Sequence, residues 1–283
     1  MKKQKKYLNK GIKMKTPFMW AGSKDKDYKI IKEYIPDFQT YYEPFVGGGS
    51  VYFRLLASNE KIIKAFISDV NIDLISTYEI IRDDPSSLIA GLPSNKDRNT
   101  YDALKSKKPT TKLETAIRFM YLNRNSFFGL GGWMKADRYS RETIIERINF
   151  FSPKMQNTTF SSNGCFTFTP DENSFVFVDP PYPNTANDSC YKIDNTEILE
   201  LNRNYIKILL SSKSDFLFIV KWNDTIAQEF AKDNTVIIEK KEWIFRKPQQ
   251  KPQKDYELYA YRLKNDTLKF YDFSQKVTFD HIF

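Results

Sequence analysis

The chain has 283 residues, 41% hydrophobic and 16% aromatic, so a packed core is attainable and wholesale disorder is excluded. Its formal charge of +9 favours a polyanionic partner without identifying one. Two cysteines (Cys165, Cys190) and one histidine (His281) leave disulfide frameworks, CxxC metal pairs, Ser-His-Asp and Cys-His catalysis and His-based zinc chemistry without their residues. Catalysis would have to run on carboxylates, backbone groups, aromatics or a bound cofactor, and no metal is expected.

Taken in chain order, residues 1–15 carry Lys2, Lys3, Lys5, Lys6 and Lys10 without an apolar core, and read as a basic solvated tail rather than a signal peptide. No apolar run reaches membrane-spanning length, so a soluble protein of a reducing, cytoplasmic compartment is expected. Short apolar runs at 41–45, 65–68, 175–178, 216–220, 236–238 and 258–261 read as strands, with helical patterns between most of them. That alternation predicts an α/β fold with a mainly parallel sheet. The stretch 71–151 interrupts it and reads as an inserted, mostly helical subdomain, with Thr111 and Glu114 at capping-box spacing. The polar, proline-rich run 247–254 reads as a loop between the last two strands.

Two segments carry chemistry. Glu43-Pro-Phe-Val-Gly-Gly-Gly-Ser50 closes the first strand, where glycines permit a tight curl and close approach of a ligand. Asp69 ends the next apolar run about 20 residues on, the place for a carboxylate that accepts from ribose hydroxyls. No Gly-Lys-Ser/Thr follows the glycines, which argues against a phosphate-cradling loop; a turn with no ligand is the plainer alternative. The second segment, Asp179-Pro180-Pro181-Tyr182, follows the apolar run 175–178. Two prolines stop the strand and stiffen the chain while their carbonyls remain acceptors. Asp179 adds a carboxylate, ionised at neutral pH from an ordinary pKa of about 3.9. Tyr182 adds a flat aromatic face. Acceptors beside a stacking ring suit an amino group on a planar heterocycle.

These segments resemble the Dam-like family of S-adenosylmethionine (SAM)-dependent adenine methyltransferases. The likeness runs from about Phe18 to Leu263 and includes Trp20-Ala-Gly-Ser-Lys24, the turn 42–50, the acidic loop 68–75, and Tyr121-Leu-Asn-Arg124 followed by Phe128-Gly-Leu130. It implies a Rossmann-like SAM-dependent methyltransferase fold, a mainly parallel seven-stranded sheet with an inserted helical DNA-recognition subdomain. The catalytic domain would comprise 16–70 and 152–283, and the insertion 71–151. By matched position, Trp20, Lys24, Glu43, Phe45, Gly47, Gly49, Asp69, Cys165, Phe166 and Asp179 would line the cofactor site. Asp179, Pro180, Pro181 and Tyr182 would form the catalytic turn, with Tyr182 stacked on an adenine flipped from duplex DNA. Asn123, Arg124, Trp133, Lys135 and Arg138 would meet DNA, Trp133 as a wedge between bases. A structural hydrogen-bonding role for Arg124 is the alternative.

Phe128 stands where the family commonly has asparagine, and an arginine usual soon after is missing, so a GATC preference is not carried over. The implied product is S-adenosylhomocysteine. The implied partners are double-stranded DNA and, in a restriction system, a cognate endonuclease, around a monomer or weak dimer. Methylation of RNA adenine, of a small molecule or protein amide, or a catalytically silent nucleic-acid-binding fold are the competing readings.

Overall fold

The computed structural model describes residues 14–58, 64–94, 96–129, 131–134, 140–163, 169–182, 194–245 and 253–263. Strand β1 (Thr40–Glu43) runs into the glycine turn, and helix α1 (Ser50–Ala57) leaves it. Strand β2 (Lys64–Ser68) is followed by five helices: α2 (Ile72–Asp83), α3 (Pro85–Gly91), α4 (Arg98–Ser106), α5 (Lys112–Asn125) and α6 (Arg141–Phe151). Then come β3 (Thr158–Ser161), β4 (Ser174–Val178), α7 (Asn195–Ser211), β5 (Asp215–Lys221), α8 (Asp224–Phe230), β6 (Ile237–Phe245) and β7 (Gln253–Arg262).

Capping explains where most helices begin. Asn71, Asp84, Asp97, Thr111, Ser140, Asp194 and Asn223 each accept a backbone N–H of the first turn, a contact worth about 1 kcal/mol. The box expected at Thr111 forms by half. Thr111 accepts the Glu114 N–H at 3.1 Å, but the Glu114 carboxylate turns to the Thr110 N–H and the Lys107 ammonium, each at 2.8 Å. The complete box lies at Asp194 and Glu197, at the start of α7.

The strands form a seven-stranded sheet in the order β3-β2-β1-β4-β5-β7-β6. β1 pairs with β4, β4 with β5, and β2 with β3 in parallel; β7 pairs antiparallel with β5 and β6. The parallel pairings accompany helices between β1 and β2, between β2 and β3 and between β4 and β5, whereas β7 runs antiparallel to the β6 strand that precedes it. Three details differ from the sequence reading. β3 (Thr-Thr-Phe-Ser) is too polar to stand out, and it is a strand because β2 offers it a ladder. β1 stops at Glu43, two residues early, because the turn begins there. The last hairpin is longer than its apolar centres, and Gln253 and Lys254, expected in a loop, pair with Phe245 and Ile244.

The chain divides into two compact units: Met1–Lys29 with Val46–Cys165, and Ile30–Phe45 with Phe166–Phe283. The first is centred on aromatic packing of Phe53 with Phe151 (4.5 Å), Phe18 with Tyr78 (4.9 Å) and Tyr78 with Phe160 (5.4 Å). A smaller cluster of Tyr101, Tyr121 and Leu122 joins α4 to α5. In the second, all five residues of β4 and residues 215–220 of β5 are buried, as a central parallel strand requires. Phe230 of α8 covers Phe216 and Phe218. Among the described residues no helix is long and apolar enough to cross a membrane.

Candidate active site

In the first unit the glycine turn is built by close packing. Gly47 and Gly49 adopt φ of +46° and +65°, the left-handed region that favours glycine. A Cβ on Gly47 would fall 2.4 Å from the Trp20 indole nitrogen, and one on Gly49 would fall 2.4 Å from the Tyr78 hydroxyl. These glycines therefore admit two aromatic side chains against the bare backbone. Tyr78 donates to the Gly47 carbonyl at 2.9 Å, and Thr16 donates to the Gly48 carbonyl.

Asp69 locks the other side. One carboxylate oxygen accepts the Gly47 N–H and the other the Asn71 N–H, both at 2.9 Å. Each oxygen retains acceptor capacity, since a carboxylate carries about four lone-pair sites. Burial pushes the Asp69 pKa up, and the backbone hydrogen bonds from Asn71 and Gly47 oppose that shift. Lys24 is buried; its N–H donates to the Ser50 hydroxyl at 3.0 Å, and its ammonium lies 3.4 Å from the Gly22 carbonyl. Trp20, Lys24, Gly47, Gly49 and Asp69 thus belong to one folded unit.

The residues expected to meet DNA separate into different environments. Asn123 is buried: its amide oxygen accepts the Met19 N–H at 2.8 Å, and its amide nitrogen donates to the carbonyls of Met19 (2.8 Å) and Gly129 (3.1 Å). That side chain serves as an internal clamp, because both donors and the acceptor are engaged by backbone. Arg124 is half-buried, and its Nε is among the described buried polar atoms with no hydrogen-bond partner. Burial, with the like charge of Arg147 adding, lowers its guanidinium to about 10. Trp133 is 79% exposed on a short loop closed by the Ser126–Met134 bridge and by the Phe127 N–H on the Trp133 carbonyl. Lys135, Arg138, Cys165 and Phe166 lie outside the described residues.

In the second unit the Asp-Pro-Pro-Tyr turn leaves the carboxyl end of β4. The Tyr182 hydroxyl donates to Asp179 Oδ1 at 3.0 Å and reaches Glu257 Oε1, on β7, at 3.3 Å. Burial, then the charges of Asp179 and Glu257, raises the Tyr182 pKa well above 10, so the hydroxyl stays a donor. Pro180 is buried and Pro181 half-buried. Glu43 is buried and accepts the Tyr41 hydroxyl at 2.8 Å, while Phe45 packs edge-on against Tyr205 of α7, 4.6 Å between centroids. Sequence reasoning did not single out Tyr78 or Glu257. Tyr78 shares the buried side of α2 with Leu74, Ile75 and Ile81, a helical spacing that marks a core position but not its hydroxyl contact. Glu257 carries no sequence signal. Among the described residues no group of three or more His, Cys, Asp or Glu is placed to hold a metal ion.

Strand order and the glycine turn after β1 define a Rossmann-like α/β fold, with an acidic residue directly after β2 and after β4. The sequence profile described as D12 class N6 adenine-specific DNA methyltransferase matches residues 20–244, and the chain belongs to that family. It is 30% identical over 192 residues to the Type II methyltransferase M.CviBI of Paramecium bursaria Chlorella virus NC1A, covering 63% of this chain and 73% of that protein. It is 28% identical over 211 residues to a DNA adenine methylase of Vibrio cholerae, covering 68% and 71%. The Type II methyltransferase M.MjaIII of Methanocaldococcus jannaschii is 31% identical over 200 residues, covering 59% and 68%.

Proposed function

We propose that the chain transfers a methyl group from SAM to the 6-amino group of an adenine flipped out of duplex DNA, leaving S-adenosylhomocysteine. The observation that carries this reading is the carboxylate of Asp179 held beside the hydroxyl of Tyr182 at the carboxyl end of a buried parallel strand. Ligand sites of open α/β sheets lie at such strand ends.

The donor set of the glycine turn suits the cofactor. Asp69 has acceptor capacity for ribose hydroxyls, Trp20 offers an aromatic edge, and the buried Lys24 ammonium suits a carboxylate. Glu43, Phe45, Gly47 and Gly49 would complete the cofactor contacts. SAM supplies an electrophilic methyl group, so no covalent enzyme nucleophile is needed. The remaining work falls to Asp179 and the Pro180 carbonyl. The adenine amino lone pair is delocalised into its ring, and accepting both N–H bonds draws that nitrogen toward tetrahedral geometry and localises the pair for in-line attack. The rigid proline turn presents both acceptors in advance, so the acceleration comes from positioning and preorganised electrostatics. Tyr182 would hold the base by stacking.

DNA contact is assigned to Arg124, Trp133, Lys135 and Arg138 on the helical stretch 71–151, acting as an insertion in a catalytic domain of 16–70 and 152–283. Asn123 would act by holding that surface in shape.

The test is sequencing of modified bases in DNA from cells expressing the chain, beside methyl transfer to RNA of the same sequence. N6-methyladenine at a defined duplex site is expected. Transfer confined to RNA, or to no adenine, would sink the proposal.

A further inference from the structure

Two carboxylates converge on one phenol hydroxyl in the second unit, 3.0 Å to Asp179 and 3.3 Å to Glu257. A phenol carries one proton, so Tyr182 fully donates to one carboxylate at a time. Adenine methylation as proposed above requires Asp179 to receive an amino N–H, and a hydrogen bond donated to Oδ1 draws charge from the carboxylate and leaves it a weaker acceptor for that amine.

Glu257 offers the alternative. It sits within β7, in register with Lys221 of β5 and Lys241 of β6. Those two ammonium groups are engaged by Asp255 and Glu239, each at 2.9 Å. The Glu257 carboxylate is carried by a strand paired on both sides, which fixes its backbone relative to β5. Rotation of the O–H alone, without movement of the ring, changes the carboxylate that Tyr182 serves. We infer that Glu257 is a positioning residue that accepts the Tyr182 hydrogen bond when substrate arrives, leaving the full charge of Asp179 to the amine while the ring remains planted for stacking. This rests on the adenine-methylating reading and adds a residue to it.

A double-mutant cycle in single-turnover methylation of duplex DNA tests the inference, using the site found by modified-base sequencing. Replacing Glu257 with leucine should slow transfer roughly 10-fold, the worth of one hydrogen bond to a charged group, with SAM affinity and melting temperature held. Glu257→Gln, which keeps an acceptor oxygen, should lose less than Glu257→Leu. In a Tyr182→Phe background, where no hydroxyl remains, Glu257→Leu should cause no further loss. An equal loss in both backgrounds, or a parallel fall in SAM affinity, would overturn the positioning role. A wild-type chain that methylates no adenine would remove the parent reading and this inference with it, a result distinct from an active wild type insensitive to Glu257.

Discussion

The turn after β1 is tied down by side chains from three separate segments: Thr16, Asp69 and Tyr78 each bond its backbone. The turn after β4 is stiffened by its own prolines and carries one hydroxyl shared between two carboxylates. The first is held by donors and acceptors that satisfy one another internally. The second gathers acceptors and suits an incoming donor. On the function proposed above, the first turn would seat a methyl donor the same way each time and the second would capture and release a target amine, tasks that suit the two constructions.

The largest expected effect separates the turns by chemistry. Asp179→Ala should lower methyl transfer by roughly 100- to 1,000-fold, the cost of losing a preorganised polar group at the reacting centre. Its melting temperature should stay near that of the wild type, and wild-type rates would remove the acceptor role.

The next separates them by stability. Gly49→Ala forces a Cβ into a left-handed residue and against the Tyr78 hydroxyl. A loss of about 1–3 kcal/mol is expected from such strain, read by thermal or denaturant unfolding, with SAM binding weakened alongside. An unchanged melting temperature would mean the turn is looser than its packing implies.

The smallest effect is a pH dependence. Because the Asp69 pKa is raised by burial, the folded state holds a proton there in a pH window where the unfolded chain has released it. The stability linked to this group is therefore fully present below the unfolded pKa and is lost as pH rises through the folded one. SAM affinity should move oppositely, falling as acid protonates Asp69, the acceptor proposed for the ribose, at a pH above its unfolded pKa. In Asp69→Asn that slope should flatten, which titration of SAM affinity on the acid side of neutrality would read.

The motifs were legible where they are local. Glycines after a strand, an acid after the next one, and Asp-Pro-Pro-Tyr after an apolar run are each read from a few adjacent residues. Legibility failed where a partner comes from far away. Asn123 pairs with the backbone of Met19, 104 positions off, a contact that its neighbours in the chain do not announce. Glu257 reaches Tyr182 across 75 positions, from a strand whose nearer residues show only β pattern. β3 is a strand through its neighbour β2 rather than its composition, and β7 extends into polar sequence because β6 lies beside it.

The amino-acid sequence by itself determined the α/β class, the tight turn and the acidic residues that follow two strands. Each follows from backbone preference or residue chemistry over a few positions. Folding alone decided which side chains close the glycine turn, which carboxylate shares the Tyr182 proton, and which polar residues of the helical stretch are spent internally. Those are pairings between distant segments, and hydrogen bonds and van der Waals contacts form only when the backbone brings their atoms within a few ångströms.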